Sequence, residues 1–479
     1  MQTALFGREQ EKRKLQKALT SNEPEMIAVI GRRRVGKTFL IRSVYENRID
    51  FEVTGALKAP KEEQLLNFVF ELTKASKNSL PVKTPANWME AFILLIQYLE
   101  LQQKNKSEKQ VVFFDELPWL STPKSGFLRA LGFFWNSWAS RQNIVVVICG
   151  SAASWMIQKV VNNTGGLYNR ITQRIYLEPF DLSETEDYLR SRHHNFNRYQ
   201  IIQLYMAIGG IPHYLKEIEV GKSATQNIEQ ICFSKDGLLR NEFPRLYPSL
   251  FVNAEKHISV IRALATKRQG LTRNEIVDIS QLSNGGGLTK VLEELYHSGF
   301  ISFYHPFGKK KKEKLYRLTD EYSLFYLQFM EDNLQEETGV WQRLSQTQTY
   351  KTWSGYAFEN LCLKNLAAIK KALGISGVYS QSSAFYKKGT KTEKGTQIDL
   401  LIDRNDQVIN LCEIKFYNTE FTLTKDYATA LRNKMGVFQA STKTNKQLFW
   451  TLITTFGLKH NQHSLGLIQN VLVVDDLFG

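Results

Sequence analysis

The sequence predicts a multidomain α/β chain in which a parallel sheet is followed by a helical stretch, a three-helix module ending in a hairpin, and a second α/β unit. Three observations carry this. Strand-sized apolar runs (Met26 to Ile30, Val111 to Phe114, Ile144 to Cys149, Ile175 to Leu177) alternate with helical spacing up to about residue 180, as in a parallel sheet flanked by helices. Residues 254 to 330 read as three helical segments and two short strands around a lysine run. From residue 350 onward strand patterns return, with a polar turn inside an apolar hairpin.

At roughly 150 residues per domain, 479 residues suggest about three domains. The expected boundaries are 1–180, 181–250, 251–335 and 350–479. Sixty-two Lys plus Arg against 47 Asp plus Glu leave a formal charge of +15, which favours polyanionic partners. With 43% hydrophobic and 12% aromatic residues, the composition is that of globular proteins, not of disordered chains. No stretch approaches the roughly 18 apolar residues of a membrane span, and the first residues lack the basic start and apolar core of a secretory leader. The expectation is a cytoplasmic protein without membrane contact. Cys149, Cys232, Cys362 and Cys412 are widely spaced, so neither a disulfide framework nor a zinc site is expected.

Gly31-Arg32-Arg33-Arg34-Val35-Gly36-Lys37-Thr38 satisfies GxxxxGK[ST] between a predicted strand and a predicted helix, the context that a phosphate-binding loop requires. Gly31, Arg34, Gly36, Lys37 and Thr38 are expected to hold ATP. Backbone amides and the helix N-terminus would face the phosphates, Lys37 would neutralise them, and Thr38 would ligate Mg²⁺. The strand ending in Phe114-Asp115-Glu116 supplies two carboxylates. Asp115 is expected to hold the hydrated magnesium and Glu116 to polarise the attacking water. Ser151, after the next strand, either senses the γ-phosphate or caps a helix. Arg170, like Arg174, is either a finger on the transferring phosphoryl group or a solvated side chain.

Residues 181–250 look helical, with Pro179, Pro212 and Pro244 as punctuation, and read as a lid. Gly209-Gly210 either admits the adenine or ends a helix. In the next module, helices at Glu255 to Thr266, Arg273 to Ile279 and Leu288 to Ser298 precede strands Phe300 to Tyr304 and Leu315 to Leu318. This is the layout of a winged helix-turn-helix. Leu288 to Ser298 would be the recognition helix, and Lys309, Lys310, Lys311 and Lys312 on the wing would meet double-stranded DNA. The alternative is a solvated hairpin on a packing module.

Phe6-Gly7-Arg8-Glu9, the loop with its three arginines, Phe114-Asp115-Glu116-Leu117-Pro118-Trp119-Leu120 and Gly209-Gly210-Ile211-Pro212 together resemble the archaeal-type AAA+/STAND ATPases over roughly residues 1 to 250. The resemblance implies a P-loop NTPase core working as an ATP-driven switch. It places Pro212 in a lid segment facing the nucleotide, puts a winged helix after the lid, and admits a homo-oligomer formed through the ATPase domain.

Glu413-Ile414-Lys415 is the single acid-x-Lys triplet of the chain. It lies on a strand, Val408 to Phe416, that forms a hairpin with Gln397 to Ile402. If Asp403 pairs with Gln407, Asp399 lies opposite Leu411, and the two-residue period puts Asp399, Glu413 and Lys415 on one face. Such a set suits metal-assisted phosphodiester hydrolysis. Asp399 and Glu413 would ligate Mg²⁺ or Mn²⁺, Lys415 would orient the nucleophile, and Glu359, upstream on a helix, would complete the acidic cluster. Together these residues resemble the PD-(D/E)xK nuclease superfamily, with a restriction-endonuclease-like fold, over about residues 350 to 479. The departure is Gln397-Ile398-Asp399 where Pro-Asp is nominal. The expected function is an ATP-hydrolysing, DNA-acting protein with a metal-dependent nuclease controlled by the ATPase. The alternative is an ATP-controlled DNA- or protein-binding regulatory switch that does not cut.

Overall fold

The computed structural model describes residues 5–77, 83–103, 108–162, 165–308, 313–334, 338–389 and 395–479. The chain divides into two compact units, Met1–Pro179 with Leu250–Val252, and Phe180–Ser249 with Asn253–Gly479.

The first unit is built on a parallel sheet of β1 (Glu25–Ile30), β2 (Ile49–Thr54), β3 (Gln110–Asp115), β4 (Ile144–Gly150) and β5 (Gln173–Tyr176), in the order β2-β3-β4-β1-β5. Every residue of β1, β3 and β4 is buried. These are the unbroken apolar runs of the sequence, since a central parallel strand is covered on both faces. The sequence reading omitted β2. It is an edge strand, Ile-Asp-Phe-Glu-Val-Thr, whose only buried residues are Phe51 and Val53, so it shows alternation and no apolar run. The core beside it is aromatic: Phe51, Phe68, Trp88, Phe92, Phe114 and Phe127 meet with ring centroids 4.7 to 6.2 Å apart.

The second unit holds three stretches that the sequence separates, and packs them as one body. Residues 181–250 supply helices Leu182–Ser191 and Arg198–Ile208 and several shorter ones. Asp181 and Glu184 start the first with a reciprocal capping box. Next come helices Ala254–Ala265, Arg273–Ser280 and Gly286–His297, then the antiparallel pair β6 (Ile301–Tyr304) and β7 (Leu315–Leu318). Leu271 adds an antiparallel bridge to Tyr316.

The last stretch is a mixed five-stranded sheet. β8 (Ser380–Lys387), β9 (Thr396–Arg404) and β10 (Val408–Lys415) are antiparallel neighbours, whereas β12 (Gln447–Thr454) and β14 (Ile468–Leu472) run parallel to β10. Helix Lys425–Thr442 lies between β10 and β12, because parallel neighbours need a crossover. Two short parallel strands, β11 (Phe421–Thr422) and β13 (Leu458–Lys459), pair beside it.

All four cysteines are buried and unbridged. Among the described residues no helix is long and apolar enough to cross a membrane.

Candidate functional site

The phosphate-binding loop connects β1 to helix Lys37–Tyr45. Its glycines have separate reasons. A Cβ on Gly31 would stand 2.2 Å from the Leu177 carbonyl oxygen, and Gly36 has φ 91°, a conformation costly to any other residue. Arg34 also adopts a left-handed conformation, φ 71°. Lys37 is buried, and its ammonium donates to the carbonyls of Gly31 (2.9 Å) and Arg32 (3.0 Å). The charge is thereby held within the curve of the loop.

β3 is adjacent to β4 in the sheet, and the ends of these strands assemble the acidic side. Thr38 Oγ1 donates to Asp115 Oδ2 at 2.8 Å, so hydroxyl and carboxylate converge as ligands of a magnesium ion would. That donor pair fits the metal the sequence implies. Asp115 Oδ1 accepts from the Glu116 amide (2.9 Å) and from the buried Cys149 thiol (2.6 Å). Burial, and then the Asp115 charge, push the Cys149 thiol well up, which keeps it the protonated donor that this bond needs.

Glu116 has φ 47° and ψ 53°, a strained conformation for a non-glycine residue of the kind that collects at functional sites. Its carboxylate accepts from the Ser151 amide (3.0 Å) and the Ser151 hydroxyl (2.8 Å). Ser151, read from sequence as a phosphate sensor or a cap, thus grips Glu116. A hydrogen bond to a charged group contributes about 1.5–3 kcal/mol. Ser151→Ala is therefore expected to lower kcat for ATP about tenfold or more with little change in KM, and Ser151→Thr to recover most of it. Steady-state phosphate release measures both, and an unchanged kcat would dismiss the grip.

Arg170 is exposed, in a turn before β5, and among the described residues its side chain makes no hydrogen bond or ion pair. The structure does not join it to the loop. Pro212 opens a short helix in the second unit. The glycines before it have a local explanation: helix Arg198–Ile208 ends at Gly209, and a Cβ on Gly210 would lie 1.9 Å from the Phe180 carbonyl oxygen.

In the second unit the hairpin register differs from the expected one. Asp403 pairs with Ile409 and Leu400 with Cys412, so the next pair in register is Asp399 with Glu413, not with Leu411. The loop is Asn405-Asp406-Gln407, with Gln407 at φ 66°. It is a three-residue turn closed by a left-handed residue; its centre lies one residue further along than expected, which shifts every cross-strand partner by two and leaves every side chain on its expected face.

Asp399 and Glu413 therefore face each other across two strands. Glu413 is buried. Its oxygens accept from Lys415 (2.9 Å), from Lys434 (2.9 Å) and from the Tyr427 hydroxyl. Burial pushes the Glu413 carboxyl up, but the two ammonium groups outweigh it and hold the group below its ordinary value. Asp399 accepts from the Gln397 amide, and is pushed up by burial and by Glu413. Glu359, on helix Gln348–Lys364, is pushed up to about 8 by burial and by the Asp399 charge.

The donor types suit a divalent cation, and the mutual repulsion of the carboxyls is what such a cation relieves. The arrangement is a different matter: among the described residues no three His, Cys, Asp or Glu side chains are grouped to hold a metal ion. Sequence reasoning missed Tyr427 and Lys434 as partners of Glu413. Their spacing of seven residues, two helical turns, was the available signal. Lys309, Lys310, Lys311 and Lys312 lie outside the described residues. On helix Gly286–His297, expected as the recognition helix, the exposed positions include Thr289, Lys290, Glu293 and Tyr296.

Comparison with known proteins agrees with an ATPase reading of the phosphate-binding loop. Residues 5–218 match a family model described as an ATPase domain predominantly from Archaea. An uncharacterized protein of Methanocaldococcus jannaschii is 23% identical over 413 residues, 85% of this chain and 87% of its own. An uncharacterized ATP-binding protein of the same organism is 28% identical over 273 residues, 47% of this chain and 73% of its own. A Walker-type ATPase of Pyrococcus abyssi superposes with a TM-score of 0.51 at 21% identity, over 67% of this chain and 96% of that one. This last similarity is one of fold.

Proposed function

From the match of residues 5–218 to an ATPase domain predominantly from Archaea, we infer an ATP-hydrolysing, DNA-acting protein whose C-terminal domain is a metal-dependent phosphodiesterase controlled by the ATPase. In the ATPase, Lys37 and the loop amides bind and orient the phosphates, Thr38 and Asp115 hold magnesium, and Glu116 takes the proton of the attacking water. Magnesium, when bound, offsets the charge that develops on the transferring phosphoryl group.

The observation that carries the second activity is the register of β9 and β10, whose last pair, Leu400 with Cys412, sets Asp399 and Glu413 opposite each other one step further on, with Lys415 paired to Glu413 and Glu359 acted on by the charges of both acids. Asp399 and Glu413 would hold Mg²⁺ or Mn²⁺, with Glu359 drawn in to complete the acidic cluster around the ion; the metal would supply Lewis-acid chemistry toward phosphodiesters, and Lys415 would orient the nucleophile. Support for double-stranded DNA as partner is the net charge of +15 and the three-helix module with its β6–β7 hairpin, read as a winged helix with Lys309 to Lys312 on the wing. Pro212 at the nucleotide, Arg170 as finger and self-association through the ATPase domain belong to the same reading.

The second reading, a nucleotide-controlled DNA- or protein-binding switch that does not cut, is favoured by one observation. Both Glu413 oxygens are taken by Lys415, Lys434 and Tyr427.

Incubation of the full chain with linear, circular and single-stranded DNA, with Mg²⁺ or Mn²⁺, with and without ATP, separates the two. Cutting is expected in the parent, lost in Glu413→Ala, and insensitive to ATP in Lys37→Ala. Duplex binding with no cutting under any condition would reject the nuclease and leave the switch.

A further inference from the structure

The three-helix module does not stand apart from the acidic centre; it is bound to it. The Tyr304 hydroxyl, on β6, donates to the Gln269 carbonyl at 2.6 Å. The Gln269 side-chain amide donates to Gln397, and the Gln397 amide donates to Asp399 Oδ1. A continuous hydrogen-bonded path thus runs from the hairpin to the carboxylate.

Around that path the docking is extensive. The Arg268 guanidinium lies 3.6 Å from the centre of the Tyr356 ring, one helical turn before Glu359. The Phe307 amide, beyond β6, donates to the Ala384 carbonyl of β8 at 2.8 Å, and its ring meets Phe438 at 5.3 Å. Asn360 donates to the Thr319 carbonyl at 3.3 Å, and Lys364 pairs with Glu321 at 2.5 Å. Arg317, on β7, acts electrostatically on Glu359. The turn that carries Arg268 and Gln269 is itself fastened to the hairpin. Leu271 bridges to Tyr316, and a Cβ on Gly270 would stand 2.5 Å from the Tyr316 carbonyl oxygen. Turn and hairpin are therefore one body.

Two consequences follow from chemistry. While the module is docked, one Asp399 oxygen is committed to Gln397, whose own amide oxygen is held by Gln269. Arg268 is exposed, and its partner here is an aromatic ring, a weaker claim on a guanidinium than a phosphate diester can make, since phosphate offers bidentate, charge-assisted hydrogen bonds. A polyanion on this surface competes for a residue that fastens the module.

We propose that the three-helix module is the regulatory latch of the acidic centre, with Gln269 and Gln397 restraining Asp399 until duplex nucleic acid engages the module through Arg268. This rests on the nuclease reading, because the latch matters only if Asp399 receives a cation. The arrangement is a two-state device in which ligand and cation each favour the undocked form, so each tightens the other.

The test is Mn²⁺ binding by the nucleotide-free full chain, read by electron paramagnetic resonance, with the site defined as the one lost in Asp399→Asn. Gln269→Ala and Arg268→Ala are each expected to tighten that site by about tenfold, within the usual range of allosteric coupling. A non-cleavable phosphorothioate duplex is expected to tighten it similarly in the parent and to add little in Gln269→Ala. If the Asp399-dependent site is present but indifferent to Gln269→Ala, Arg268→Ala and duplex alike, the latch is wrong and the nuclease reading stands. If no protein, including Gln269→Ala, shows an Asp399-dependent site, the nuclease reading falls and the latch falls with it.

Discussion

Glu116→Gln is expected to bind ATP with parental affinity and to hydrolyse it about 10²–10⁴-fold more slowly, the usual contribution of a positioned general base. Glutamine keeps the size and the acceptor oxygen that Ser151 grips at 2.8 Å, so the geometry survives and only the capacity to take a proton is removed. Thr38 keeps its bond to Asp115 and Lys37 its bonds to the loop carbonyls, hence the expectation that binding is spared. Lys37→Ala is the complementary case, since it removes the loop's only committed ammonium and should abolish binding itself. Equilibrium nucleotide titration beside steady-state phosphate release distinguishes them. A Glu116→Gln protein that turns over normally would remove Glu116 from the reaction.

What the sequence disclosed about this site follows from how local each feature is. The phosphate-binding loop is contiguous, and strand, loop and helix all lie between Glu25 and Tyr45, so spacing alone identifies it. The grip of Ser151 on Glu116 and the bond from Cys149 to Asp115 join residues 34 or 35 apart. They exist because β3 and β4 are neighbours in the sheet, an order that no local pattern encodes. The same distinction holds for the hairpin. That Asp399, Glu413 and Lys415 share a face was readable from the two-residue period, which survives any even shift of register. The register itself was not, because it depends on Gln407 adopting a left-handed conformation, for which glutamine gives no signal of the kind glycine or asparagine gives.

Larger-scale organisation was the least visible. Composition and periodicity separate a lid, a three-helix module and an α/β unit, whereas the fold makes them one compact body. The residues that join them, such as Arg268 with Tyr356 and Asn360 with Thr319, are ordinary surface types in sequence. Gln397, likewise an ordinary polar residue in sequence, holds a position in a hydrogen-bonded path between modules.

Glu413→Ala is expected to destabilise the C-terminal domain by about 3–5 kcal/mol, the cost of removing one partner from a buried ion pair. The carboxylate accepts from two ammonium groups and a tyrosine hydroxyl while itself nearly inaccessible. Its removal leaves two cations facing each other with no counter-charge in a site of low polarity. Lys434→Met should cost much less, because Glu413 keeps Lys415 and the methionine fills the space of the lost side chain. The double variant Glu413→Ala/Lys434→Met should then be more stable than Glu413→Ala alone, since one of the two stranded charges is gone. Denaturant melts of the four proteins form a double-mutant cycle in which this non-additivity is the coupling between the two groups. Strict additivity would mean that the Lys434 ion pair contributes nothing to the folded state, and Glu413 would then be held by Lys415 and Tyr427 without it.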